Sequence, residues 1–210
     1  GLDEANNLTV SGGNVDVEDA ADIQAISGYD GSASDYDITD TAAALISAGD
    51  SILNKAGVDI VTASDTSVTA NIGGDLAGFT ADIEFNVEDT ANLIAAEVSA
   101  SGFGSGGLDE ANNLTVSGGN VDTAEAADIQ SISGYDGSAS DYDITDTAAA
   151  LISAGDDVLD VDGVDTVSVT GGPVDADTGE ALAELSKDVE FDVLDDANAV
   201  AAEVTGSNGA

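Results

Sequence analysis

Apolar and polar residues alternate along the chain in short bursts, and each burst runs into an aspartate and then a small-residue stretch. The pattern is plainest in Val15-Asp16-Val17-Glu18-Asp19-Ala20-Ala21, in Tyr36-Asp37-Ile38-Thr39-Asp40-Thr41-Ala42 and in Phe85-Asn86-Val87-Glu88-Asp89-Thr90-Ala91. A few positions of alternation predict a half-buried strand. The stretches that follow carry apolar residues at helical spacing: Ile23 and Ile26; Ala42, Leu45 and Ile46; Ala91, Ile94 and Val98. Aspartate suits the junction, because its carboxylate accepts a hydrogen bond from a free amide of the first helical turn. Its charge also matches the positive end of the helix dipole. Gly28, Gly49 and, more loosely, Gly102 follow these stretches, where glycine closes a helix. The predicted element is strand, Asp cap, short helix, Gly stop. Residues 58–62 and 68–70 read as further strands. Residues 178–186 read as a helix with Leu182 and Leu185 on one face.

The pattern occurs twice because the sequence is duplicated. Residues 1–50 and 107–156 differ at four positions only: Val17/Thr123, Glu18/Ala124, Asp19/Glu125 and Ala25/Ser131. The second halves have diverged but keep register, with Ile83-Glu84-Phe85-Asn86-Val87 matching Val189-Glu190-Phe191-Asp192-Val193. The expected organisation is a first copy at 1–103, a Gly/Ser-rich joint at 104–106, a second copy at 107–204 and a tail at 205–210. Strands starting near 15, 36, 58 and 85 approach the roughly 20–29-residue period of strand–helix solenoids. The fold class expected is α/β or α+β, built as a tandem repeat of strand–Asp cap–short helix units. An irregular solenoid and two compact α+β domains both fit that spacing. Two β-sandwich-like domains are the alternative, and the alanine-rich stretches argue against them.

Composition narrows the function. The chain has 210 residues, 43 acidic and two basic, for a net charge of −41, and no His, Cys, Met or Trp. Without a basic surface it has nothing to neutralise phosphates, so no nucleic-acid partner is expected. No apolar run approaches the ~18 residues of a membrane helix, so no membrane insertion is expected. Without His or Cys there is no His-based triad, thiol nucleophile or ordinary zinc or haem site. Carboxylate pairs for glycoside hydrolysis remain by residue type, but the chain offers only four Tyr and four Phe as sugar platforms; no enzyme is expected. Leu, Ile, Val and Phe make up 50 of the 210 residues, slightly above the roughly one-fifth below which disorder is the default. A folded chain with a lean core follows. It starts at Gly1 and has no methionine, so it reads as a processed product or a piece of something longer.

The acidic residues are 32 Asp and 11 Glu. A solvated surface does not require that bias, whereas loops, caps and rigid oxygen cages for calcium do. Three groups are candidate calcium ligands. Asp160, Asp162 and Asp165 surround Gly163 and imitate part of a calcium loop, although no Glu closes it at the twelfth position. Asp30, Asp35 and Asp37 lie in Tyr29-Asp30-Gly31-Ser32-Ala33-Ser34-Asp35-Tyr36-Asp37, repeated with Asp136, Asp141 and Asp143. The Asp30-x-Ser32-x-Ser34 spacing imitates a metal-dependent adhesion motif. The long apolar strand and the large doubly wound domain which that motif needs are missing. The bland readings are an acidic turn for the first group and a Gly/Ser loop for the others. Asp40, Asp89, Asp146 and Asp195 read as helix caps.

Tyr36-Asp37-Ile38-Thr39-Asp40-Thr41-Ala42-Ala43-Ala44-Leu45, its copy from Tyr142 to Leu151, and the stretch from Phe85 to Leu93 resemble repeats of very large bacterial surface and secreted proteins. These are the adhesin-like and surface-layer-like tandem-repeat proteins that often travel with calcium-binding segments. The resemblance covers about a fifth of the chain and implies an extracellular structural or adhesive role, with no catalytic residues. The function expected is thus a non-enzymatic structural or assembly module, stabilised by calcium and self-associating into an array or filament, at the cell surface or outside it. Two rivals stand beside it. One is halophilic adaptation without specific sites. The other is a carbohydrate- or surface-binding module of a halophilic or marine secreted protein, for which Thr9, Thr39, Thr62 and Thr69 give the only support.

Overall fold

The computed structural model describes residues 2–101 and 107–206. The elements alternate along the chain. First come β1 (Ser11–Val15), α1 (Val17–Ala25), β2 (Asp35–Asp40), α2 (Ala42–Ala48), α3 (Asp50–Leu53), β3 (Val58–Ala63), α4 (Ala70–Ala77), β4 (Ile83–Glu84), β5 (Asn86–Asp89) and α5 (Ala91–Ser101). Then follow β6 (Asn113–Val121), α6 (Thr123–Ser131), β7 (Asp141–Thr147), α7 (Ala148–Ala154), α8 (Asp156–Leu159), β8 (Val164–Thr170), α9 (Ala176–Ala183), β9 (Val189–Glu190) and α10 (Ala197–Gly206). One sheet has the order β1-β2-β3-β4 and the other the order β5-β6-β7-β8-β9. The fold is therefore α/β with two parallel sheets. The β-sandwich alternative is overturned, because sandwiches pair antiparallel sheets whereas here helices carry the chain between parallel strands.

The residues group into two compact units, one of 1–88 with 97–114 and the other of 89–96 with 115–210. The joint expected at 104–106 and the tail beyond 206 lie outside the described residues, as does Gly102.

Neighbours in each sheet are consecutive in sequence, so each strand–helix pass returns the chain beside the strand it just left. In the first unit Val15 pairs with Ile38, Ile38 with Val61, and Val61 with Ile83. The second unit repeats the column as Val121, Ile144, Val167 and Val189. Ile38, Ile144 and Val167 are wholly buried. Each such side chain removed from water contributes about 1.5–3 kcal/mol, which fixes the register. Leu45 and Leu151 close the core from the helical side, as do Leu53 and Leu159. Among the described residues every buried one is apolar or a tyrosine, and no carboxylate is buried.

Local chemistry explains where the predicted boundaries shift. Val15-Asp16-Val17 is a strand end, an N-cap and a helix start rather than one strand. The Asp16 carboxylate accepts from the Asp19 amide at 2.8 Å. The strand itself, β1, precedes it and is mostly exposed, so it carries no hydrophobic alternation. Residues 68–70 supply a single bridge, from Val68 to Val87, before α4 begins at Ala70. That helix escapes prediction because Gly73-Gly74 interrupts its period. Gly73 is required by packing: a Cβ there would stand 2.9 Å from Val87 and 3.2 Å from the Phe85 ring. The helix expected at 178–186 is displaced: α9 runs Ala176–Ala183 with Leu182 buried, and Leu185 lies beyond its end. Gly49 closes α2 at a positive φ of 65° as expected, whereas α1 ends at Ile26 rather than Gly28.

Candidate functional site

The acidic residues at strand ends hold the backbone of a neighbouring pass. Asp40 was expected to cap the helix that follows it. That helix, α2, is capped by Thr41, whose hydroxyl accepts from the Ala44 amide. The Asp40 carboxylate reaches back 23 residues and accepts from the Val17 amide, the first of α1, at 3.2 Å. Its other oxygen accepts from the Thr41 amide at 2.7 Å. Asp65 does the same for α2, accepting from the Ala42 amide at 2.7 Å across 23 residues. In the second unit Asp146 accepts from the amide and the hydroxyl of Thr123, at 3.1 and 2.7 Å, and from the Thr147 amide at 2.6 Å. Asp195 accepts from the Ala176 amide at 3.1 Å and the Asp196 amide at 2.7 Å. Asp89 accepts from the Thr90 amide at 2.8 Å. For Asp40, Asp146 and Asp195 the caps are real but sit on the helix before, not the helix after. Each carboxylate thus places a negative charge at the positive end of a neighbouring helix and ties two passes together.

A second set of ties crosses longer distances. Asp50 accepts from the Thr80 amide at 2.9 Å, the Thr80 hydroxyl at 3.0 Å and the Ala81 amide at 3.3 Å. Asp156 repeats this with the Ser186 amide and hydroxyl, both at 2.8 Å. Partial loss of water around the carboxyls of Asp50 and Asp146 pushes them up, but these hydrogen bonds outweigh it and hold both below the usual aspartate range.

The nine predicted calcium ligands are distributed differently. Asp30 and Asp136 begin single 3-10 turns, each accepting from the amide and hydroxyl of the serine two residues on, Ser32 or Ser138. Asp35 and Asp141 start β2 and β7 and are exposed. Asp37 and Asp143 sit within those strands, and Asp143 accepts from the amide and hydroxyl of Thr166. Asp160 ends α8, and Asp165 is exposed on β8. Asp162 contributes its backbone carbonyl to the Tyr135 hydroxyl at 2.7 Å. Among the described residues no three acidic side chains come together as a group that could hold a metal ion. In Asp30, Asp136 and Asp143 one carboxylate oxygen, Oδ1, takes two or more protein donors.

The tyrosines anchor the turns. Tyr29 donates to the Ala56 carbonyl at 2.8 Å, as Tyr135 does to Asp162. Gly57 and Gly163, both at φ 100°, let the hydroxyls approach, since a Cβ at either would run into the tyrosine oxygen. Burial, with help from Tyr36, pushes the Tyr29 phenol up to about 12, and burial raises Tyr135 as well. Both stay protonated donors at neutral pH. Gln24 and Gln130 donate to the buried Tyr36 and Tyr142 hydroxyls at 2.8 Å and to the Ile52 and Val158 carbonyls. Sequence reasoning missed Asp65, Asp50, Asp156 and these glutamines. For Asp65 the signal that could have found it is the pass-to-pass spacing, which sets a side chain beside residues 23 positions away; Asp50 and Asp156 reach 30 positions and the glutamines 12 and 28.

Comparison of the chain with family models, with curated proteins and with solved structures found no match.

Proposed function

We propose that this chain is a non-enzymatic structural module of an extracellular array, such as a surface layer, filament, stalk or adhesin segment. In this reading its passes are the rungs of an irregular solenoid. The observation that carries it is the use made of the carboxylates. Asp40, Asp65, Asp146 and Asp195 each hold the first amide of a helix in the pass before, so these polar residues serve the joining of one rung to the next. The near-identical halves extend the same scheme, as an array grown by repetition requires. The resemblance to bacterial surface repeats points the same way.

Calcium is the cation this reading assigns to the surface. Like charges ~4 Å apart in water cost about 1 kcal/mol each before screening, and a net charge of −41 concentrates many such pairs. Thermal melts of the chain in chelator, millimolar calcium, millimolar magnesium and molar sodium chloride test it. The expected result is a rise in Tm with calcium that magnesium does not match, because binding to the native state alone stabilises it. An equal rise in sodium chloride would replace calcium with diffuse screening and favour adaptation to high salt.

A further inference from the structure

Of the twelve asparagines in the chain, two open the sequence Asn-Leu-Thr. They are Asn7, in Asn7-Leu8-Thr9, and Asn113, in Asn113-Leu114-Thr115, one in each copy. No other asparagine has a serine or threonine two positions on. Asn-x-Thr, with any residue but proline in the middle, is the acceptor signal for N-linked glycosylation. A three-residue signal means little unless the fold has room for a sugar there. For Asn113 the fold supplies that second observation.

In each sheet the parallel strands lie in sequence order, and helices carry the chain from one to the next. Such crossovers are right-handed, so a sheet built in sequence order has all its helices on one face. The other face is left to solvent. Residues 113–115 belong to β6, along which side chains alternate between the two faces. Leu114 and Val116 are wholly buried and so lie on the helical side. Asn113, Thr115 and Ser117 stand on the open side, the first two half-buried and the third exposed.

β6 is an inner strand, with β5 on one side and β7 on the other. Its setting is therefore complete within the sheet. β7 turns the same kind of residue outward: Asp141, Asp143 and Thr145 alternate with the buried Tyr142 and Ile144. Around the acceptor the open face is thus made of short polar side chains, which suit a hydrated sugar.

We propose that Asn113 is a glycosylation site, taking an oligosaccharide from a polyprenyl diphosphate donor during export. The Asn113 side-chain nitrogen attacks C1 of the first sugar. A C–N bond forms as the C–O bond to the diphosphate breaks. The lipid diphosphate leaves with that electron pair, and the amide proton passes to a base of the transferring enzyme. The Thr115 hydroxyl is the group by which that enzyme tells the acceptor from other asparagines. Transfer precedes folding, while residues 113–115 are still accessible, and the finished sheet then holds the sugar on its open face. A bulky hydrated group there marks this face as the one turned to solvent and leaves the helical side for contacts within an array. The proposal deepens the extracellular structural reading and rests on it.

Peptide mapping of the full chain, recovered from the cells that make it, tests the site. Cleavage after Glu110 and Glu125 releases residues 111–125. The expected peptide carries added mass that fragments to sugar oxonium ions and is seated on Asn113, not on Asn112 or Asn120. In the same cells Asn113→Gln and Thr115→Ala each lose the added mass, whereas Thr115→Ser keeps it. Asn113→Asp replaces Asn113→Gln should the latter melt below the wild type. A wild-type peptide found only unmodified overturns the proposal, as does sugar that persists on this peptide in Asn113→Gln or Thr115→Ala. An unmodified peptide from chain collected outside the cell removes this site and leaves the extracellular reading standing. Chain that stays inside the cell, unmodified, removes both.

Discussion

Asp146 ties three donors at once: the Thr123 amide and hydroxyl and the Thr147 amide. Replacing it with alanine leaves the first amide of α6 without its acceptor. The expected loss is about 1–2 kcal/mol, the usual cost of removing a helix cap, read as a shift of the denaturant midpoint. Asp146→Asn keeps an oxygen and recovers part of it. The pH dependence follows from the lowered pKa values of Asp50, Asp146, Asp175 and Asp196. A carboxyl whose folded pKa lies below its unfolded value, about 3.9, contributes stability that is present above that value. The contribution is lost as pH falls through the folded pKa. Melts from pH 6 down to pH 2 should therefore show the loss beginning near pH 4, and Asp146→Ala should show a smaller share of it. At the turns, Gly57→Ala and Gly163→Ala each set a methyl against a tyrosine hydroxyl at a positive φ. Each should cost about 1–3 kcal/mol by the same measurement, and an unchanged midpoint would contradict the anchoring role of Tyr29 and Tyr135.

Strand, turn and helix alternation is legible in the sequence because the period switches at residues that also cap. Tyr36 to Ala42 marks β2 and the start of α2 to within a residue. β1 and α4 are not legible in the same way. The first is an exposed strand with two glycines, and the second a helix whose glycines are there for close packing. Which helix Asp40, Asp146 and Asp195 cap is likewise invisible locally, because the partner lies one pass away in sequence and adjacent only in space. Asp30 to Asp37 imitates a metal motif for a simple reason: a serine hydroxyl and a loop carboxylate suit each other as partners as well as they suit a cation. Among the elements, α9 and α10 carry the clearest difference between the copies. Glu180 stands where the first copy has Gly74. Its hydrogen bond and its charge, with burial and Asp177 adding to them, push the Glu203 carboxyl up to about 7. A raised carboxyl favours the folded state below the unfolded pKa, near 4.5, and the benefit is lost as pH rises through 7. Carbon-detected titration should place Glu203 near 7 in the wild type and near the ordinary glutamate value in Glu180→Gln. A Glu203 that titrates normally in the wild type would show that the two carboxyls do not meet.

The solenoid reading proposed above predicts that stability is spread between neighbouring passes rather than held in one centre. No carboxylate is buried among the described residues, and each unit has its own apolar column from Val15 to Ile83 or from Val121 to Val189. Losing one tie should loosen the two passes it joins and leave distant ones closed. Native-state hydrogen exchange on the wild type and on Asp146→Ala measures this most directly, amide by amide. The predicted result is strongest protection in the inner strands β2, β3, β6, β7 and β8. The variant should then lose protection in α6 and β7 while β2 and β3 keep theirs. Uniform loss over every strand would mean a single cooperative core and would contradict the stacking of rungs on which the proposed function rests.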